Sequence, residues 1–532
     1  MKTLLKNAWI VDGTGSKGFG GDLLLENDRI AAVEPAGVLR GEFDQTIDAA
    51  ALTAAPGFID THSHSDLEAL LKPAILPKLH QGITTEVLGQ DGISMAPLKK
   101  EYVAAWRQNI GGLEGDSDLV RWDELETVGG YLHALKSASP LANYAYLAPH
   151  GNLRLSAMGM CADKADGAQL KRMEQELRCA LEAGAAGLST GLVYTPCVYA
   201  ASEELTRLCH VLHEYDRPFV VHQRYESDRI AESMEELLEI ALHTGAHLHI
   251  SHFKITGARN AHKRFEVFAL IERYRERGVR FTADQYPYIA GSTMLGRIIP
   301  PWAHAGGTDE LLSRLTDHTQ RERIKSDIRH TETVWDNMVS VCSEAGIVVT
   351  SVTKPQNERF VGHNIVEIGG MTGSDPLDAA MDLLVDERNK VGMICKNGVE
   401  EVMRDILVRK DVNVCTDGLL GGTPHPRVYG AFPKVIASYV RAEKLLSLEE
   451  AIRKMTSQAA SAMGLKERGA LKPGYFADIV LFDAEEITDV GDYRNPRRYA
   501  RGVRYVFVNG KKALDSSGVR EGAASGKVLR AT

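Results

Sequence analysis

Two histidines one residue apart, His62 and His64, close the stretch Gly57-Phe58-Ile59-Asp60-Thr61-His62-Ser63-His64. The residues from Ala54 to Ile59 are mostly apolar and read as a strand. Alternate side chains of a strand share a face, so both imidazoles point one way from its C-terminal end. Two neutral imidazoles on a rigid support suit a divalent transition metal, zinc most often. Such a pair also arises by chance on surface strands, so its weight depends on what accompanies it. Here the placement recurs. Asp91 follows an apolar run at 83–88, His222 ends one at 218–222, His252 follows 247–251, and Asp417 follows 413–416. In a barrel of alternating strands and helices, the active site lies at the C-terminal ends of the strands. Four histidines and two carboxylates would then converge on one mouth, enough for one or two metal ions. Asp417, the last acid and on a separate strand, could serve as proton shuttle to a metal-bound water.

Strands able to hold these side chains are expected at 83–88, 144–148, 187–190, 218–222, 247–251, 280–285 and 413–416. With the His62 strand they number eight, the count of a closed barrel. Helical stretches at 167–183, 203–215, 234–244 and 263–277 alternate with them. Both chain ends have a different texture, with short strands and turns before residue 55 and again from 478, where one run ends in Asn509-Gly510. The expected fold is α/β: a (β/α)8 TIM-type barrel over 56–467 with a small β-sandwich domain built from 1–55 and 468–532. A charged, helix-rich stretch at 297–352 is expected as an insertion near the barrel mouth, a lid or a surface ornament.

The chain has 532 residues, more than one ordinary core supports, and 44% are hydrophobic and 25% charged, as in ordinary soluble proteins. A net charge of -9 offers no basic face for nucleic acid, and no apolar run reaches membrane-spanning length. The opening residues read as a strand and a turn rather than a signal peptide. Cys161, Cys179, Cys197, Cys209, Cys342, Cys395 and Cys415 lack paired spacing, so reduced thiols and a cytoplasmic location are expected. No residue pattern speaks to oligomeric state.

Further motifs accompany the His62 stretch. They are Gly187-Leu188-Ser189-Thr190-Gly191-Leu192, Ser251-His252-Phe253-Lys254, Asp284-Gln285-Tyr286-Pro287-Tyr288 with Ala290-Gly291-Ser292-Thr293, Thr416-Asp417-Gly418, Pro424-His425-Pro426-Arg427, and Lys472-Pro473-Gly474-Tyr475-Phe476-Ala477-Asp478. On these the chain resembles, nearly end to end, the metal-dependent amidohydrolase superfamily and within it the N-acyl-D-amino-acid deacylases (D-aminoacylases). The first and last motifs are widely shared in the superfamily. The Asp-Gln-Tyr-Pro-Tyr and Pro-His-Pro-Arg stretches are more particular to the deacylases.

The resemblance implies His222 and His252 as ligands of a tightly held zinc, with His62 and His64 framing a second metal position. It implies Asp417 as the group that takes the water's proton and passes it to the leaving amine. Lys254, Tyr286, Ser292 and Arg427 match the family's contacts to the substrate carboxylate. That set is chemically apt, because arginine presents a planar fork, lysine a point charge, and two hydroxyls complete the hydrogen bonds.

One departure stands out. The family commonly carries a cysteine in the loop after the second strand, and here Asp91 holds that place. A carboxylate can bridge two metals but is a harder ligand than a thiolate, which leaves Mn and Co open beside Zn. Many superfamily members bridge instead with a carboxylated lysine on the fourth strand, and none is present between Ala185 and Leu192. Asp91 is therefore the bridge candidate.

His150 and His425 could reach the site or only shape it, and Glu226 could orient an imidazole. The activity implied is hydrolysis of an N-acyl amino acid, of D configuration. Alternatives on the same barrel are a cyclic-amide hydrolase of dihydroorotase or hydantoinase type, a dipeptidase for unusual linkages, and a non-catalytic scaffold. A scaffold would be expected to lose ligands, and this chain keeps them.

Overall fold

The computed structural model describes residues 1–330, 334–520 and 524–531. Its centre is a closed parallel barrel. Strand 1 is Phe58–Asp60 continued by Ser63–His64, strand 2 is Ile83–Leu88, and strand 3 is Asn143–Tyr146 continued by Ala148–Pro149. Strands 4 to 7 are Leu188–Gly191, Pro218–His222, His247–Ile250 and Phe281–Gln285. Strand 8 is Val412–Val414 continued by Gly418–Leu419. Neighbours pair in parallel all the way round, and Gly418 opposite Ser63 and Leu419 opposite His64 close the ring. Seven of the expected strands are in it with ends shifted by no more than two residues, whereas the strand expected at 54–59 divides: Thr53–Pro56 joins the sheet of the chain ends and only Phe58–Asp60 enters the barrel.

The intervening helices form for local reasons. In Gly167–Ala183, Asp166 and Gln169 make a capping box, and Gly184 ends the helix at φ 113. Leu170, Met173, Leu177, Ala180 and Leu181 fall at steps of three and four, so a single face is buried against the barrel. Ser202–Glu214, Ile230–Thr244 and Arg264–Glu276 follow strands 4, 5 and 6 in the same way.

Both chain ends meet in a nine-stranded sheet, in which Ile479–Phe482 lies between Thr53–Pro56 and Val503–Val508. Alternation decides what each face covers. Ile479, Leu481 and Phe507 join Leu5, Leu23 and Ile47 in the sheet's own core, while Val480, Phe482, Val506 and Val508 pack with Phe58 and Ile83 of the barrel. The chain's last described residues leave the sheet, and Tyr144 of strand 3 pairs with Val528. Residues 521–523 and 532 of the stretch 468–532 lie outside the described ones.

The insertion is larger than the 297–352 expected. Between strands 7 and 8 an antiparallel sheet of Gly291–Met294, Gly392–Cys395 and Ile347–Ser351 carries the helices Thr308–Thr316, His318–Arg329, Ile365–Thr372 and Pro376–Asp386 around a core of its own. Residues 331–333 within it lie outside the described ones. Among the described residues, no helix is long and apolar enough to cross a membrane.

Candidate metal centre and substrate cavity

The six strand-end residues meet at the C-terminal mouth of the barrel, all buried. Three of them occupy the left-handed region that non-glycine residues rarely enter: Asp91 at φ 55, His252 at φ 37 and Asp417 at φ 48. Such conformations persist where surrounding structure holds them. The backbone N–H of His252 donates to Asp284 Oδ1 at 2.6 Å, and that of Asp417 to the His62 carbonyl at 2.8 Å.

Asp91 is common to two ligand groups, one with His62 and His64 and one with His222 and His252, each with its donor atoms within 4.8 Å of one another. Its Oδ1 lies 3.7 Å from His62 Nε2, 3.8 Å from His222 Nδ1 and 3.5 Å from His252 Nε2, and its Oδ2 lies 3.6 Å from His64 Nε2. Asp417 Oδ1 faces His64 Nε2 at 3.4 Å and His62 Nε2 at 3.7 Å. Ligands bound at ~2.1 Å in a tetrahedron sit about 3.4 Å apart, so these spacings fit donors arranged around ions rather than hydrogen-bonded to each other. His222 Nδ1 and His252 Nε2 are closer, at 2.8 Å.

The unpartnered atoms agree with that fit. Both nitrogens of His62, Nε2 of His64 and Oδ1 of Asp91 are buried without a hydrogen-bond partner. Buried polar groups are otherwise almost always satisfied, and cations in the cluster would satisfy His62 Nε2, His64 Nε2 and Asp91 Oδ1. Burial pushes His62 down to about 4 and His222 to about 3, which keeps both imidazoles in the neutral, ligating form. Burial and Lys254 oppose protonation of His252, but Asp417, Asp91 and Glu226 outweigh them and lift it to about 9. That carboxylate excess is what a divalent ion would offset. Burial also opposes ionisation of Asp91 and Asp417. Their histidine neighbours, and Arg427 beside Asp417, nevertheless hold both carboxyls well below the usual range.

A second ring of groups orients the clustered imidazoles. Glu114 accepts from His64 Nδ1 at 2.8 Å, and Glu226 lies 3.3 Å from His252 Nδ1 and 2.8 Å from Lys254 Nζ. Nothing in the sequence marks Glu114, which lies fifty residues beyond its histidine in a loop with no strand before it. His150 turns away from the cluster, to Thr190 at 2.9 Å and Glu204 at 2.7 Å. His425 packs between Tyr288 and Tyr493 and accepts from the backbone N–H of Arg427, so it shapes that loop.

His64, Asp91, His222 and His252 open onto a cavity that Lys254, Tyr286, Ser292 and Asp417 also line. Arg427 does not line it. The arginine is fully buried, with Nη1 2.9 Å from Asp417 Oδ2, Nη2 donating to the Ser292 carbonyl at 3.1 Å, and the guanidinium over the Tyr286 ring. Arg427 thus stands behind three residues that face the cavity. The cavity holds a different guanidinium, that of Arg297, 3.6 Å from Asp336. Sequence reading passed over both, because they lie in the insertion rather than at a strand end.

The profile of the amidohydrolase family matches residues 45–306 and 404–513. An N-acyl-D-glutamate deacylase of Alcaligenes xylosoxydans xylosoxydans is 34% identical over 95% of this chain and 92% of its own. A D-aminoacylase of the same organism is 31% identical over 99% of this chain and 97% of its own. Among solved structures, an N-acyl-D-glutamate deacylase of Bordetella bronchiseptica superposes with a TM-score of 0.83 at 32% identity, covering 99% of both chains. It is complexed with zinc and a phosphonate mimic of the reaction's tetrahedral intermediate.

Proposed function

The chain belongs to the amidohydrolase family, in its N-acyl-D-amino-acid deacylase branch, and from that premise we propose that it hydrolyses N-acyl-D-amino acids to a carboxylate and a free amino acid. The observation that carries the reading is Asp91, whose carboxylate lies between two histidine pairs with the ionised Asp417 beside them at the cavity floor. His222, His252 and Asp91 would hold one divalent ion and His62, His64 and Asp91 a second. An imidazole and carboxylate donor set accepts zinc, manganese or cobalt, and the zinc-bound neighbour favours zinc. A divalent ion held there lowers the pKa of water and polarises the scissile carbonyl.

The protein's own groups supply the rest. Asp417 is ionised, so it accepts the proton of the attacking water and returns it to the departing nitrogen. Arg427 fixes the orientation of that carboxylate from behind. Lys254, Tyr286 and Ser292 face the cavity and bind the substrate's α-carboxylate, with Arg427 backing the set. Glu114 and Glu226 hold the imidazoles of His64 and His252 in place.

Arg297 favours a particular side chain. A guanidinium in a cavity that already provides for the α-carboxylate suits a second acidic group, as in the D-glutamate that one relative is named for. The insertion serves as a lid in this reading. Its Met338 and Val341 line the cavity, and Val334 and Ser340 accept hydrogen bonds from Tyr225 and Arg259 of the loops after strands 5 and 6. Buried unpaired thiols and net negative charge support a cytoplasmic enzyme acting on small molecules, without nucleic-acid or membrane partners.

A hydrolysis panel tests the reading: N-acetyl-D- and N-acetyl-L-glutamate and -leucine beside hydantoin and dihydrouracil, each with zinc, manganese or cobalt. D-selective release of free amino acid is expected, greatest for glutamate. Turnover of the cyclic amides alone would transfer the chain to the hydantoinase-type alternative.

A further inference from the structure

We propose that Ser189 is a positioning residue for Asp91, and that barrel strand 4, which contributes no ligand, sets the geometry of the metal centre through it. The inference rests on the reading of Asp91 as a ligand shared by two ions. Asp91 lies in a turn with φ 55 and ψ 17, flanked by Gly89 at φ 77 and Gly92 at φ 70. Three left-handed residues in a stretch of four is not a conformation the chain adopts unaided.

Ser189 spans that turn. Its hydroxyl donates to the Gly89 carbonyl at 2.5 Å and accepts from the Gly92 N–H at 3.0 Å. A hydroxyl is suited to this double contact because it both donates and accepts, and here it is fully buried. The two backbones also touch. A Cβ on Gly191 would lie 2.4 Å from the Asp91 carbonyl oxygen, and one on Gly92 would lie 2.8 Å from Thr190 Cα. From the other side, Asp66 Oδ1 accepts from the Gly89 N–H at 2.8 Å, and the Gln90 amide donates to the Thr61 and Val87 carbonyls. Asp91 Oδ1 makes no hydrogen bond of its own, so the backbone turn and the rotamer it permits aim it at the histidines.

Thr190, the next residue on the strand, faces away and bonds His150, which in turn bonds Glu204. Anchoring of the strand and clamping of the turn are thus carried by different side chains. This gives a role to Gly187-Leu188-Ser189-Thr190-Gly191-Leu192, a motif with no ligand in it. Its serine clamps the turn and its last glycine lets strand and turn approach.

Ser189→Ala, Asp91→Ala and Thr190→Val, stripped of metal and titrated with cobalt(II), separate the possibilities by stoichiometry, affinity and visible absorption. Ser189→Ala is expected to weaken one ion by about ten- to a hundred-fold and to shift its absorption while the other ion stays, with Asp91→Ala losing that same ion outright. Thr190→Val should match wild type. Wild-type binding and spectrum in Ser189→Ala, with Asp91→Ala still defective, would overturn the clamp alone. An equal loss in Thr190→Val would overturn it too, as general damage to the strand. Unchanged metal in Asp91→Ala would remove the ligand reading beneath it. If Ser189→Ala yields no folded protein, Ser189→Cys, a weaker donor, replaces it. An intermediate loss supports the clamp and an unchanged centre refutes it.

Discussion

The carboxylate of Asp417 faces the His62 and His64 rings with one oxygen and the buried Arg427 guanidinium with the other. Asp417→Asn keeps the size and removes the basicity, so kcat should fall about a hundred- to ten-thousand-fold while bound metal is unchanged. Metal lost in step with activity would make Asp417 a ligand first. Arg297 carries the second expectation at this scale. Arg297→Leu should lower kcat/KM for N-acetyl-D-glutamate by at least about ten-fold and spare or raise that for N-acetyl-D-leucine. An equal change for both substrates would deny Arg297 a part in selection. The clustering of these histidines and carboxylates was legible in the sequence because strand ends are marked by apolar runs, and a barrel brings strand ends together. Glu114, Arg297 and Asp336 were not, because loops and an inserted unit delivered them with no periodic pattern pointing at the mouth. Arg427 was picked out by its motif, but only packing reveals that Asp417 and Ser292 stand between it and the cavity.

At the level of elements, strands 1, 2 and 8 are tied beneath the ligands by a buried ionic knot. Lys78 Nζ donates to Asp60 at 2.5 Å, Thr416 at 2.6 Å and Ser63 at 2.9 Å, and lies 3.4 Å from Glu86. Lys78→Met would leave two carboxylates buried without their cation. Removing one partner of a buried pair costs about 3–5 kcal/mol, so a clearly lowered Tm is expected in the metal-loaded protein. An unchanged Tm would mean that the barrel closes without the knot. Strand positions read well from sequence because Pro218–His222 and its neighbours are short apolar runs between turn signals. The insertion read poorly. Ile365–Thr372 and Pro376–Asp386 are capped amphipathic helices indistinguishable by pattern from those of the barrel, and the antiparallel strand Gly392–Cys395 has only four residues.

For the molecule as a whole, two distant chain ends build one sheet whose alternate residues face its own core and the barrel, which fixes the barrel floor away from the mouth. The apolar run Ile479-Val480-Leu481-Phe482 marked a strand but not which face meets which core, since both faces are apolar. The barrel has a large apolar core of its own, so chelation is expected to abolish activity without unfolding the protein. The direct test is deacylation of N-acetyl-D-glutamate by chelator-stripped protein titrated with zinc, with far-ultraviolet circular dichroism recorded at each step. Activity absent in the stripped protein, and rising with the first equivalent of zinc over a constant spectrum, is the predicted result. Full activity without metal, or no release of D-glutamate at any zinc ratio, would contradict it.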